Sequence, residues 1–172
     1  MTPYDQLDAR FARLGSIHEA IAVLKWDYAA IMPAGGIEAR QSQLSTLEVV
    51  CHELLTHPAL GDALPAAEAQ RELDPWQRAN LGEMRRRWLH AAAIPVELVE
   101  ARCKANLACE MIWRLARPSN DFARVKPALQ HVLDLTREMA QAKADRLGKS
   151  PYDALLDEYE PDGSSAEIDR LF

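Results

Sequence analysis

The chain has 172 residues and a net charge of −6, from 26 acidic against 20 basic side chains, with 48% hydrophobic and 27% charged residues. At this size roughly 70% of the unfolded surface is buried on folding, so one domain with a real core, spanning 1–172, is expected. The acidic balance excludes the basic stripe of a nucleic-acid binder, and no window offers the ~18 apolar residues of a membrane span.

Met1-Thr2-Pro3-Tyr4-Asp5 has no basic segment and no continuous apolar run after it, so it does not read as a secretory signal. Cys51, Cys103 and Cys109 are odd in number and lack CxxC spacing. That is the pattern of free thiols packed as small hydrophobes in a reducing cytoplasm.

The first helix opens at Thr2, a capping residue, with Pro3 at its first position and Asp5 complementing the dipole. Leu7, Phe11, Leu14, Ile17, Ile21, Leu24, Tyr28 and Ile31 keep three-four spacing, a stripe about 28 residues long. Gly15 inside it marks a close helix contact or a bend, at ~1 kcal/mol against alanine. Met32-Pro33-Ala34-Gly35-Gly36 then breaks the helix: proline lacks an amide hydrogen, and the glycines allow positive φ. The second helix runs from about residue 37 to 56, with Leu44, Leu47, Cys51 and Leu54 as its stripe and Pro58 as its stop. This corner brings Trp26, Asp27 and Arg40 together, with Trp26 read as core.

Residues 58–70, Ala-rich with Pro65 in the middle, read as a helical turn and a connector. A third helix follows, capped by Asp74 and started by Pro75, with Trp76, Leu81, Met84, Trp88 and Leu89 on its apolar side. Arg85, Arg86 and Arg87 point about 100° apart, so they cannot clamp one anion and read as a solvated, salt-bridged face. A fourth helix starts near Pro95 and directs Val96, Val99, Cys103, Leu107 and Met111 to the core. Residues 119–122 form a polar turn capping a short lead-in helix. The fifth helix, about 126–147, carries Leu129, Val132, Leu133, Leu135 and Met139 and ends at Gly148.

Ser150, Pro151 and Asp153 open a two-turn helix closed by Glu160-Pro161-Asp162-Gly163. Ser164 and Glu167 make a capping box for a helix from about Ser165. Its apolar residues Ile168, Leu171 and Phe172 have no cover, so a last helix interrupted by the chain end, a longer parent protein and self-association are expected. The fold class is all-α: antiparallel helical hairpins or a bundle of long helices, with no sheet.

The histidines do not make a metal site. His18-Glu19 is followed by Ala22 where a second ligand is needed for H-E-x-x-H. His52 and His57 are five positions apart, about 140° around a helix, on different faces. Glu158, Glu160, Asp162, Gly163 and Asp169 imitate a calcium loop, but Pro161 stands where that loop must curl.

Several strings occur in order: Tyr4-Asp5-Gln6-Leu7, the WD…MP-x-G-G…R corner, Leu73-Asp74-Pro75-Trp76, Asn120-Asp121-Phe122, and PYDALLDEYEP from Pro151 to Pro161. Together they resemble the first third of the carboxypeptidase Taq family of zinc metallocarboxypeptidases, over essentially the whole chain. The sequence departs from that pattern by Asp162 before the glycine.

The resemblance implies a cytoplasmic, commonly homodimeric, zinc- or cobalt-dependent enzyme that removes residues from peptide C termini. In such an enzyme zinc polarises the scissile carbonyl and lowers the pKa of bound water to about 7. The family's H-E-x-x-H and its further glutamate ligand lie downstream of Phe172. No catalytic or metal residue carries over, this chain is expected to hold no cofactor and to be inactive alone, and peptide substrate is expected only for the full-length enzyme. Asp27, Arg40, Asp153, Asp157 and Tyr159 are the candidate cleft-facing residues; the competing reading is that they lock helix corners. The alternative function is a non-catalytic helical interaction module descended from such a peptidase, which calls for an exposed apolar patch.

Overall fold

The computed structural model describes residues 1–172, with every side chain except that of Ala34. Among the described residues there are eight α-helices, two 3-10 turns and no strand. They divide into two compact units, Met1–Ala92 and Ala93–Phe172.

The first unit holds α1 (Pro3–Ala30), α2 (Ile37–Thr56), α3 (Pro58–Glu68) and α4 (Pro75–Ala92). A reciprocal box starts α1: Thr2 Oγ1 accepts from the Asp5 amide at 3.1 Å, and the Asp5 carboxylate accepts from the Thr2 amide at 2.8 Å. Along it Tyr4, Leu7, Phe11, Leu14, Ile21 and Tyr28 are buried, as the three-four spacing requires. This stripe packs on α2, α3 and α4, which contribute the fully buried Leu44, Leu60 and Leu64. Gly15 makes no close contact, because a Cβ there would stand in open space. Neither Gly35 nor Gly36 uses positive φ. At Gly36 a Cβ would lie 3.1 Å from Met32 Cγ, a tight contact that the methionine side chain would have to relieve.

The expected connector after residue 58 is in fact the helix α3, capped by the His57 ring, with Pro58 at its first position and Pro65 inside it. Proline at residue 65 removes one amide donor, but Leu60, Leu64 and Ala67, at helical spacing, are completely buried. That apolar burial outweighs the local cost. Trp76 does not join the apolar side of α4; it is exposed, whereas Leu81, Met84 and His90 are buried.

The second unit holds α5 (Val96–Ala116), α6 (Phe122–Leu147), α7 (Pro151–Leu156) and α8 (Ser165–Leu171). The separate lead-in helix is absent, because α6 runs unbroken through Pro127 from its cap, Asp121, whose carboxylate accepts from the Arg124 amide at 3.1 Å. On α5 the expected stripe is only half the answer. Leu107 is buried, but Leu98, Ala105, Cys109 and Ala116 are buried on another face, and Cys109 and Ala116 pack against Val125 of α6. Leu129 and Leu133 of α6 are exposed and Met139 is buried. Gly148 ends α6 at φ 67°, donating its amide to the Ala144 carbonyl at 2.9 Å.

Two stability outcomes follow. Leu7→Ala removes a wholly buried side chain and is expected to lower unfolding free energy by about 2–5 kcal/mol in urea titration. Gly15→Ala meets no neighbour and is expected to raise it by about 0.5–1 kcal/mol.

Candidate functional site

Of the five sequence candidates, two belong to the α1–α2 corner. Asp27 stands on the last turn of α1, and Arg40 one turn into α2. Their side chains form an ion pair across the corner. Arg40 also donates from Nη1 to the Leu24 carbonyl at 3.0 Å and from Nε to Gln43 Oε1 at 2.9 Å. Leu24 lies in the last two turns of α1, so Arg40 adds a hydrogen bond to a helical carbonyl there and crosses the break at Pro33. Trp26 is not core: it is 59% exposed, because it sits on the side of α1 opposite the buried Ile21–Tyr28 face.

Three candidates belong to α7 and the turn after it. Ser150 caps α7, and its Oγ accepts from the Asp153 amide at 3.1 Å. The Asp153 carboxylate accepts from the Ser165 amide at 2.8 Å, which ties the start of α7 to the start of α8. The Ser165 and Ser150 hydrogen bonds hold the Asp153 carboxyl below its usual range. Asp157 is buried, paired with Lys149, and accepts from the Asp162 amide at 3.0 Å. The two aspartates are therefore committed to different partners and do not form a paired-acid site. Tyr159 is 84% exposed. Asp162, the departure from the family pattern, adopts φ 63°, a left-handed conformation in which glycine is least strained.

The decoy sites resolve in the same way. The α2 helix ends between His52 and His57, and His57 Nδ1 accepts from the Ala59 amide at 3.2 Å. In the acidic loop the Glu158 carboxylate is paired with Lys143. Among the described residues no group of three or more His, Cys, Asp or Glu is placed to hold a metal ion. The arginine run splits as its geometry demands: Arg85 pairs with Glu68, Arg86 with Glu83, and Arg87 lies over the Phe11 ring at 5.5 Å. The Arg86 hydrogen bond holds the Glu83 carboxyl low. Burial raises the Cys51 thiol, which keeps it protonated and unreactive.

Sequence reasoning missed Lys143. It is 1% exposed and follows Met139 by one helical turn. A lysine at an apolar-face position of a helix was the available signal.

The chain from residue 6 to 172 matches the family model described as carboxypeptidase Taq (M32) metallopeptidase. It is 30% identical over 169 residues to thermostable carboxypeptidase 1 of Pyrococcus furiosus, covering 97% of this chain and 33% of that protein. To thermostable carboxypeptidase 1 of Thermus thermophilus it is 34% identical over 161 residues, covering 88% and 32%. The solved Trypanosoma cruzi metallocarboxypeptidase 1 superposes with a TM-score of 0.80 at 32% identity, over 98% of this chain and 34% of that one. The chain thus spans about a third of the length of the relatives it matches.

Replacing Arg40 by methionine removes the charged hydrogen bonds of the corner and is expected to cost about 2 kcal/mol in chemical denaturation. A carboxyl lowered in the folded state adds stability above its unfolded pKa and loses it as pH falls through the folded value. Asp153 therefore contributes above about pH 4 and ceases to do so at lower pH. Asp153→Asn is expected to flatten the acid limb of a stability-against-pH curve. Asp162→Gly relieves the left-handed conformation and is expected to hold or raise the melting temperature, whereas Asp162→Val is expected to lower the unfolding free energy by about 1–2 kcal/mol.

Proposed function

Because the chain belongs to the carboxypeptidase Taq (M32) metallopeptidase family, we propose that it supplies the N-terminal helical wall of a metal-dependent peptidase acting on peptide C termini. The observation that carries this reading is the match from residue 6 to 172, extending over the corner and the PYDALLDEYEP segment. Among the described residues no group of three or more His, Cys, Asp or Glu is placed to hold a metal ion. The zinc or cobalt of the reading is held by residues outside this chain, and the chain alone is inactive.

In that wall, Asp27 and Arg40 fix the α1–α2 corner, and Asp153 and Asp157 fix the turn after α7. Their partners support a positioning role. Tyr159, exposed on that turn, is the candidate placed to touch a ligand. The reading places the parent protein in the cytoplasm as a homodimer. Among the described residues no helix is long and apolar enough to cross a membrane. The exposed Ile168, Leu171 and Phe172 of α8 support self-association of the isolated chain, which sedimentation at increasing concentration measures.

The chain incubated with zinc or cobalt and a blocked dipeptide is expected to release no C-terminal residue and to bind no metal at one-to-one stoichiometry. Clear hydrolysis, or tight stoichiometric zinc, overturns inactivity. A reading frame that continues past Phe172 to an H-E-x-x-H pair supports the wall. A frame that stops there favours an interaction module, for which the exposed α8 stripe is the supporting observation.

A further inference from the structure

The turn between α5 and α6 combines two features: it is basic in an acidic chain, and its large apolar side chains face water. Residues 113–126 hold four basic side chains and one acidic one, in a protein of net charge −6. Arg114 is paired with Glu110 on its own helix, while Arg117, Arg124 and Lys126 are exposed. Among them stand Trp113, Leu115 and Phe122, exposed by 44, 60 and 64%. The Arg117 guanidinium lies over the Trp113 ring, 5.2 Å from its centroid.

This tip is held in shape from within. Cys109, Ala116 and Val125 pack together just behind it. The Asp121 amide donates to the Ala116 carbonyl at 3.1 Å, the Asn120 amide to the Arg117 carbonyl at 3.1 Å, and the Ser119 hydroxyl to the Ala116 carbonyl at 3.0 Å. Pro118 has no amide hydrogen to satisfy. The Asp121 carboxylate accepts from the Arg124 amide. A turn whose backbone groups are engaged in this way loses little when the water around it gives way to a less polar medium.

Trp113 and Leu115 are two positions apart on α5, about 200° around the helix axis, yet both are exposed. They flank the tip instead of forming one face, and Phe122 adds a third apolar group at the start of α6. A flat protein surface covers only one side of such a tip. A lipid headgroup layer surrounds it, receives tryptophan and its apolar neighbours at the acyl boundary and, when anionic, neutralises the cations. We propose that the α5–α6 tip is a peripheral docking site for an anionic lipid surface: Trp113, Leu115 and Phe122 enter the interface, and Arg117, Arg124 and Lys126 pair with lipid phosphates and carboxylates. The contact involves one leaflet only; among the described residues no helix is long and apolar enough to cross a membrane. It does not rest on the peptidase reading.

The test is flotation of the whole chain with lipid vesicles. In about 0.1 M salt, phosphatidylcholine vesicles containing about 30% phosphatidylserine are expected to bind the chain at least about tenfold better than phosphatidylcholine alone. Arg117→Gln, Arg124→Gln and Lys126→Gln are expected to weaken that binding about fivefold each, roughly a hundredfold together. Trp113→Ser combined with Phe122→Ser is expected to weaken it about tenfold or more. Trp76→Ser, in the first unit, and Leu171→Ser with Phe172→Ser, on α8, remove other exposed apolar groups and are expected to stay within about threefold of the parent chain. The proposal is overturned if the chain does not float with the anionic vesicles, if it floats equally with neutral ones, if the glutamine variant floats as well as the parent, or if binding follows α8 and not the tip. Capture of polyglutamate without vesicle binding points to an acidic protein partner and equally overturns it. Should the Trp113 and Phe122 variant fail to fold by circular dichroism, the glutamine variant, changed only at exposed residues, decides.

Discussion

Burial of one apolar stripe along α1 is the constraint on which the first unit depends. Leu7 and Leu14 are shut off from water, and the helix that carries them packs on α2, α3 and α4. A single face of 28 residues thereby organises three partners. An isolated helix gains little from its own hydrogen bonds; the area it covers stabilises it. The same burial explains why α3 forms despite Pro65. Leu60, Leu64 and Ala67 reach their sheltered positions only if the segment is helical. Gly61 permits the packing of α3 on α4, since an added Cβ would stand 3.2 Å from Trp88 Cζ2.

Charge does a different job, at the places where the chain turns. Arg40 links Asp27 and the Leu24 carbonyl across the corner at Pro33. At the turn after α7, Lys143 pairs with Glu158 and Lys149 with Asp157. Arg40 and Lys143 lie on long helices, whereas Lys149 follows Gly148 just past the end of α6. Such pairs contribute modestly to net stability but choose one geometry among several. Asp27, Arg40, Asp153 and Asp157, singled out in the linear sequence, thus all have partners at the places where the chain turns.

This bears on how the region shared with the metallopeptidases is built. The matched region is about a third of each relative, and among its described residues no metal-ligating cluster occurs. Its fold superposes on a solved metallocarboxypeptidase with a TM-score of 0.80. The family resemblance was legible in the strings that form the α1–α2 corner and the segment from Pro151 to Pro161.

The sequence by itself determined the helical class, the start and end of α1, the break at Pro33, the span of α2 and the caps at Thr2, Asp74, Ser150 and Ser164. These are decided by interactions within a few residues: spacing on a helix face, a missing amide hydrogen, a side-chain oxygen near a free N–H. It also separated the arginine run into independent directions, which helix geometry alone requires. Only the tertiary structure decided which apolar face of α5 meets α6, that Trp26 and Trp76 stay in water, that α3 and α6 run through their prolines, and that Lys143 lies buried against Glu158. Each of those outcomes is a competition between a local preference and contacts with residues distant in sequence. The spacing of one segment does not contain the shape of the partner that settles the matter.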